Sequence, residues 1–240
     1  MAVLPKVISA TPKIIQAPPV DNLICLWVPS EMNISKRKPV QAFLKRVIDF
    51  TSSLAGLIIL SPLLLLIAIL IKLESKGPAI YKQKRVGMNG QPFYMYKFRT
   101  MIENADKLDD LLRHKYKNKP QIMFKLDNDP RITALGRFLR KYSLDEFPQL
   151  VNVIKGEMSL VGPRPTLPKV IGHLNRWHYI YFAAKPGITG MWQTNGRSSL
   201  LDFNRVVALE YLYIKNWNLF MDFKILLKTV PVVLSGKDAV

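Results

Sequence analysis

A mainly α-helical chain with one small antiparallel β-hairpin and one membrane-embedded helical element is what this sequence predicts. Three observations carry the prediction. The stretch from Phe50 to Ile71 is uncharged and largely apolar, with Ser61-Pro62 in its middle. Two strand-like segments, Ala79–Lys84 and Phe93–Phe98, flank Gly87 and Asn89-Gly90. Most of the remainder reads as helices separated by short loops dense in Gly and Pro. At 240 residues the chain holds one domain of ordinary size besides the membrane element.

Taken in order, residues 1–40 are punctuated by Pro5, Pro12, Pro18 and Pro19 and keep no sustained period. They read as an extended or disordered arm and not as a signal peptide. The uncharged stretch is long enough for a bilayer, whose hydrocarbon core takes about 20 helical residues. A spanning helix carries its basic excess on the cytoplasmic side only. Here Lys36, Arg37, Lys38, Lys45 and Arg46 precede the stretch, and Lys72, Lys76, Lys82, Lys84 and Arg85 follow it. Pro62 lacks an N–H and clashes with the preceding turn, and the Ser61 hydroxyl is placed to satisfy a carbonyl freed there. Two readings follow: a re-entrant helix-break-helix over residues 41–73 that returns to the cytosol, or a kinked spanning helix. The residues alone leave both open.

Gly77-Pro78 ends this element, and Asn-Gly, which tolerates positive φ, makes the two strand-like segments a hairpin. Ile102 to Lys117 is helical and highly charged. A short helix ends at Arg137–Arg140 after Asp129-Pro130, and another runs from Leu144 to Ile154 and stops near Gly156. Loops follow at Val161–Pro165, Lys185–Gly190 and Asn195–Arg197, and helices at Phe203–Trp217 and Asp222–Leu234. Residues 74–240 are thus expected to form a mostly helical domain with one hairpin.

Composition narrows the partners. Lys and Arg number 35 against 17 Asp and Glu, a formal charge of +18, which attracts polyanions. Beside an apolar membrane stretch, anionic lipid and lipid phosphate are better matched to that charge than nucleic acid. The single cysteine, Cys25, excludes an internal disulfide and fits a cytosol-facing protein. His114, His173 and His178 have no metal-ligand spacing with one another or with Cys25. No Gly-rich phosphate loop of Walker or dinucleotide type is present.

The chemistry is expected at Ser143-Leu144-Asp145-Glu146. Ser-x-x-Glu before an apolar run is first of all a capping box, with Ser143 at the N-cap and Glu146 returning to its amide. The functional reading places Asp145 beside unpaired amides that lower its pKa and hold a phosphate. Such a carboxylate can attack phosphorus to give an acyl phosphate. Glu146 could hold Mg²⁺ together with substrate oxygens, since that ion uses one or two carboxylates plus phosphates. Lys97, Arg99, Arg140, Arg164 and Arg197 supply cations suited to a diphosphate. Each alone reads as a surface charge, except Arg164, which Pro163 and Pro165 hold rigid.

Separate motifs then occur in order: Lys45-Arg46-Val47-Ile48-Asp49, Ser61-Pro62, Gly77-Pro78, Lys97-Phe98-Arg99-Thr100-Met101 and Asp129-Pro130-Arg131-Ile132-Thr133. After these come Leu139-Arg140, Ser143 to Leu150, Met158 to Pro165 and Pro186-Gly187-Ile188-Thr189-Gly190. From about Lys45 to the C-terminus the chain resembles the bacterial sugar transferase family, the monotopic phosphoglycosyl transferases acting on polyprenyl phosphate. The resemblance implies transfer of a sugar 1-phosphate from a UDP-sugar to polyprenyl (undecaprenyl) phosphate. Asp145 would be the nucleophile of a ping-pong route, Mg²⁺ would be required and Glu146 would be its ligand. Ser61-Pro62 matches the family's break in a re-entrant membrane helix, which favours the first of the two topologies. The implied location is the bacterial inner membrane with the catalytic domain on the cytoplasmic face. A homo-oligomer is allowed for.

Three features qualify the resemblance. Glu210 stands where the family often has Asp. The proline-punctuated arm stands where larger members carry spanning helices, so the chain is similar to the minimal form. Gly196-Arg197-Ser198 and Asn216-Trp217 are similar to members that transfer hexose 1-phosphates. The rival readings are a membrane-tethered polyanion-binding protein and a non-catalytic scaffold for polysaccharide assembly.

Overall fold

The computed structural model describes residues 32–116, 126, 129–196 and 202–236. Most of the expected N-terminal arm, and Arg197, lie outside the described residues. The architecture is mainly helical with one antiparallel hairpin, as the sequence predicts. After a single turn, α1 (Ile34–Arg37), a 36-residue helix, α2 (Pro39–Glu74), dominates the structure. Pro39 opens it where a missing N–H costs nothing, and Gly77 at φ +105° with Pro78 prevents its continuation. At 1.5 Å per residue it is about 54 Å long.

The helix runs through Pro62 without a gap, so the expected interruption at Ser61-Pro62 is not a break in secondary structure. Its local chemistry explains why. Pro62 cannot donate to the carbonyl of Ile58, and the Ser61 hydroxyl donates to that same carbonyl at 2.8 Å. One stripe of α2 is buried, at Asp49, Ser53, Ile67 and Ile71, while Ile58, Ile59 and Leu65 are exposed. Its 18-residue apolar window has a mean hydropathy of 3.0 and only 11 % of it is buried, so the helix is long and apolar enough to cross a membrane.

Both ends of α2 are fastened to the same folded body. β1 (Ile80–Val86) and β2 (Pro92–Phe98) form the hairpin in register Tyr81↔Lys97 and Arg85↔Phe93. Then come α3 (Ala105–Lys115), α4 (Ala134–Lys141), a 3₁₀ turn Leu144–Glu146 and α5 (Gln149–Lys155). Short parallel strands β3 (Ser159–Val161) and β4 (Gly187–Thr189) pair across two 3₁₀ segments, and α6 (Phe203–Asn216) and α7 (Leu219–Ser235) close the chain. Near the start of α2, Lys45 pairs with Asp222 at 2.6 Å and Arg46 donates to the Val153 and Ile154 carbonyls at the end of α5. Cations are well placed there by the helix dipole. Near its other end, Ile67 and Ile71 pack with Phe98 and Leu139, and Glu74 accepts from the Leu135 amide at 2.9 Å.

The parallel pair β3–β4 is not expected from the sequence, because its strands are three residues long, β3 running into the Val161–Pro165 loop and β4 lying within the Lys185–Gly190 loop. The approach of the two strands requires a bare backbone. A Cβ on Gly162 would overlap the Lys185 carbonyl, which accounts for the glycine in Val161-Gly162-Pro163.

Candidate active site

The segment from Ser143 to Glu146 departs from the expected capping box. Ser143 takes a left-handed conformation, φ +54°, and its side chain does not cap the following turn. A 3₁₀ turn carries Leu144, Asp145 and Glu146, and α5 begins only after Pro148. The expected single helix from Leu144 is therefore split, and the two carboxylates are released from a capping role into a cleft.

The scaffold that fixes this turn is built from polar anchors. Asn152 of α5 is fully buried; its amide donates to the Tyr94 carbonyl at 2.7 Å and its carbonyl accepts from the Tyr96 amide at 3.0 Å. This locks α5 to β2 and sets Lys97 against the carboxylates. Arg131 grips Asp129 with two nitrogens and Asp109 with a third, and a Met101↔Ile132 bridge ties the strand exit to α4. Thr133 caps α4 by accepting from the Gly136 amide at 2.9 Å. Arg140, near the end of that helix, donates through Nε to Thr100 Oγ1 at 2.9 Å.

The cleft has a volume of about 780 Å³ and is lined by Lys97, Arg99, Arg140, Asp145, Glu146 and Arg164 among others. Lys97 Nζ lies 2.7 Å from Glu146 Oε1 and 3.8 Å from Asp145 Oδ2, and Arg164 reaches the same Glu146 oxygen at 2.9 Å. Of the residues expected from sequence, the described ones therefore converge on one site. Arg99 is partly diverted: its NH2 donates to the Ser75 carbonyl and hydroxyl at the end of α2, while its Nε and NH1 are buried without a partner. It ties the long apolar helix α2 to the cleft wall.

Arg164 owes its placement to both flanking prolines. The Pro163 carbonyl accepts from the Gly187 amide at 2.8 Å, and the Pro165 carbonyl accepts from Arg85 at 2.9 Å. Arg85 is a cleft residue that sequence reasoning missed. The signal for it was the period-2 alternation of the hairpin, which sets Tyr81, Gln83 and Arg85 on one face with Lys97 across the register. Gln83 Oε1 holds its guanidinium at 2.6 and 3.0 Å.

Electrostatics divide the two carboxylates. Burial pushes Asp145 up, against the pull of Lys97 and with the help of its neighbour Glu146. Burial acts the same way on Glu146, but Arg164 and Lys97 outweigh it and hold that carboxyl well below the usual range. Burial lowers Lys97, Arg85 and Arg140 by taking these cations out of water, against the pull of the nearby carboxylates. The cleft is lined by seven basic side chains and four carboxylates, a surplus of three positive charges. A dianionic or more highly charged ligand answers that surplus.

Glu210, whose role the sequence left open, is fully buried on α6. Its Oε1 accepts from the Trp192 amide at 3.2 Å and Oε2 has no partner. Burial without a cation raises it to about 8, so the folded protein holds it protonated at neutral pH. Stability from this group is complete below the ordinary glutamate range and is lost as pH rises towards about 8, at about 1.4 kcal/mol per pH unit. The wild-type melting temperature should fall between pH 6 and 8 more steeply than that of Glu210→Gln. Equal slopes would contradict a neutral buried carboxyl.

A cleft with surplus positive charge and two adjacent carboxylates thus lies beside a long apolar helix. The model of the bacterial sugar transferase family matches residues 40–236, and the chain belongs to that family. It is 45 % identical over 213 residues to the undecaprenyl-phosphate galactose phosphotransferase of Salmonella typhimurium, covering 86 % of this chain and 43 % of that protein. It is 44 % identical over 196 residues to the galactosyl transferase CpsE of Streptococcus agalactiae, covering 81 % and 43 %. It is 41 % identical over 208 residues to the exopolysaccharide production protein ExoY of Rhizobium meliloti, covering 84 % and 90 %. The chain thus spans less than half the length of the first two relatives and nearly all of the third.

Proposed function

We propose that this protein transfers a hexose 1-phosphate from a UDP-sugar to polyprenyl phosphate and so starts assembly of a surface polysaccharide or glycoconjugate. The observation that carries this reading is the convergence of Asp145, Glu146, Lys97, Arg140 and Arg164 in one cleft with surplus positive charge. Arg164, Arg85 and Lys97 neutralise the donor diphosphate. Asp145 attacks the sugar-bearing phosphorus, the bond from that phosphorus to the bridging oxygen breaks, and UMP departs with the electron pair. An oxygen of polyprenyl phosphate then attacks the same phosphorus, releasing the Asp145 carboxylate and giving the polyprenyl diphosphate sugar. A carboxyl raised by burial is a basic, reactive nucleophile once ionised, and Lys97 and Arg140 favour that ionised form. Turnover should therefore fall as pH drops through the raised Asp145 value.

Mg²⁺ is the expected cofactor. Among the described residues no group of three or more His, Cys, Asp or Glu side chains gathers. Asp145 and Glu146 provide two carboxylates, which fits an ion that takes one or two together with substrate phosphates. When bound it would supply further neutralisation of phosphate charge.

The membrane reading is re-entrant, with the catalytic domain on the cytoplasmic face and α7 at the interface. Its support is that Lys45 and Arg46 at one end of α2, and Ile71 and Glu74 at the other, grip one domain. A folded polar body cannot lie on both sides of a bilayer. With Cys25→Ser as background, single cysteines at the exposed Lys36 and Lys76 should react with an impermeant reagent from the same side. Opposite sides would establish a spanning helix instead. The donor reading is tested by UMP release from a panel of UDP-hexoses; no release with any, in the presence of polyprenyl phosphate and Mg²⁺, would favour the scaffold.

A further inference from the structure

The active-site cleft has a second pole, opposite in character to the cationic one. The C-terminal turns of α4 and α7 meet there: a Cβ on Gly236 would come 2.9 Å from the Lys141 side chain. Just inside, Tyr142, Val232 and Val233 line the cleft. Outside, α7 exposes Leu227, Val230 and Leu234, the last at 70 %, so its final turns form a thin wall between the cleft and an apolar outer surface. Phe138 of α4, 53 % exposed, stacks edge-on against Tyr142 at 5.2 Å. The apolar stretch of α2 reaches the same place, because Leu64 and Ile67 pack in one cluster with Leu139 and Leu144, the residue before Asp145. Exposed apolar surface of α4 and α7 therefore flanks one mouth of the cleft, with the apolar stretch of α2 packed behind it. Exposed apolar surface of this kind marks contact with lipid or an apolar ligand.

We propose that the isoprenoid chain of the lipid acceptor enters through this mouth, lying over Tyr142, Val232 and Val233, while its phosphate reaches Asp145. The inference rests on the transferase reading above and adds where the acceptor sits. Charge and solvation argue for it. An isoprenoid cannot pass the Arg85, Arg164 and Lys97 side of the cleft without stripping those cations of water, whereas the α4–α7 mouth offers apolar contact at Tyr142, Val232 and Val233. Lys141 stands at the rim over the Tyr142 ring, 5.5 Å from its centroid, where a cation attracts a phosphate arriving from the membrane surface. With in-line displacement at each step, the acceptor oxygen enters opposite Asp145, in the place UMP has vacated, while the isoprenoid chain stays over the apolar mouth.

The test is two-substrate steady-state kinetics on the whole chain in lipid nanodiscs, with an accepted UDP-sugar and polyprenyl phosphate. Val233→Asp should raise the KM for polyprenyl phosphate by about tenfold or more, a change worth about one decade of binding, and leave the donor KM within about twofold. Val233→Ala, which conserves the fold, should move the same parameter in the same direction by less. An acceptor KM unchanged in both variants, or donor and acceptor KM rising together in both, would overturn the portal. A wild type that transfers sugar phosphate while both variants behave like it sinks the portal alone. A wild type that transfers nothing sinks the transferase reading and the portal with it.

Discussion

Turnover should be lost when Asp145 becomes asparagine. An amide of the same shape keeps the contacts of the 3₁₀ turn but offers no carboxylate oxygen to phosphorus. The expected loss is about 10³-fold or more, the scale on which removal of a covalent nucleophile acts. Stability should move the other way. Burial disfavours the charged form of Asp145, so a neutral side chain there relieves desolvation, and the melting temperature should be unchanged or higher. That combination separates a lost nucleophile from a damaged fold. Turnover within about tenfold of wild type would rule Asp145 out as the attacking group.

Arg164→Ala has the second largest expected effect, and it should fall on the donor. The guanidinium is held between two anchored prolines and faces Glu146 at 2.9 Å, so its removal costs a preorganised phosphate fork and leaves Lys97 alone against that carboxylate. Hydrogen bonds to charged groups are worth about 1.5–3 kcal/mol, which predicts a donor KM raised by about 10- to 100-fold. Arg164→Lys should recover little of this, because a point charge does not replace a planar fork. Binding to anionic vesicles should stay as in wild type, since the apolar faces of α2 and α7 are untouched. Parallel losses of donor use and vesicle binding would mean misfolding.

Much of this site is legible in the sequence because its residues lie in short rigid motifs. Pro163-Arg164-Pro165 announces a fixed arginine, and both prolines turn out to be anchored through their carbonyls. The hairpin around Asn89-Gly90 and the helices after Phe203 follow from turn chemistry and apolar period, and both form. What is not legible depends on contacts distant in the chain. Arg85 joins the site only because the hairpin sets it on the face that carries Lys97 and because Pro165, 80 residues on, accepts its hydrogen bond. The β3–β4 pair arises from a close approach of Gly162 and Gly187 that no local propensity encodes. Ser143-x-x-Glu146 misleads in the opposite sense: its local pattern is a helix cap, but Glu146 gains more from Lys97 and Arg164, so the cap does not form. Ser61-Pro62 reads correctly as a site of lost hydrogen bonding, and the hydroxyl that repairs the Ile58 carbonyl keeps the helix continuous.

The central claim is that Asp145 carries the sugar phosphate between donor and lipid. Intact-protein mass after incubation with Mg²⁺ and a panel of UDP-sugars, without polyprenyl phosphate, tests it most directly. A mass gain of one phosphosugar, absent in Asp145→Asn and discharged on adding polyprenyl phosphate, is the predicted result and also names the donor. Sustained transfer to lipid with no adduct in the wild type, or the same adduct in Asp145→Asn, would contradict it.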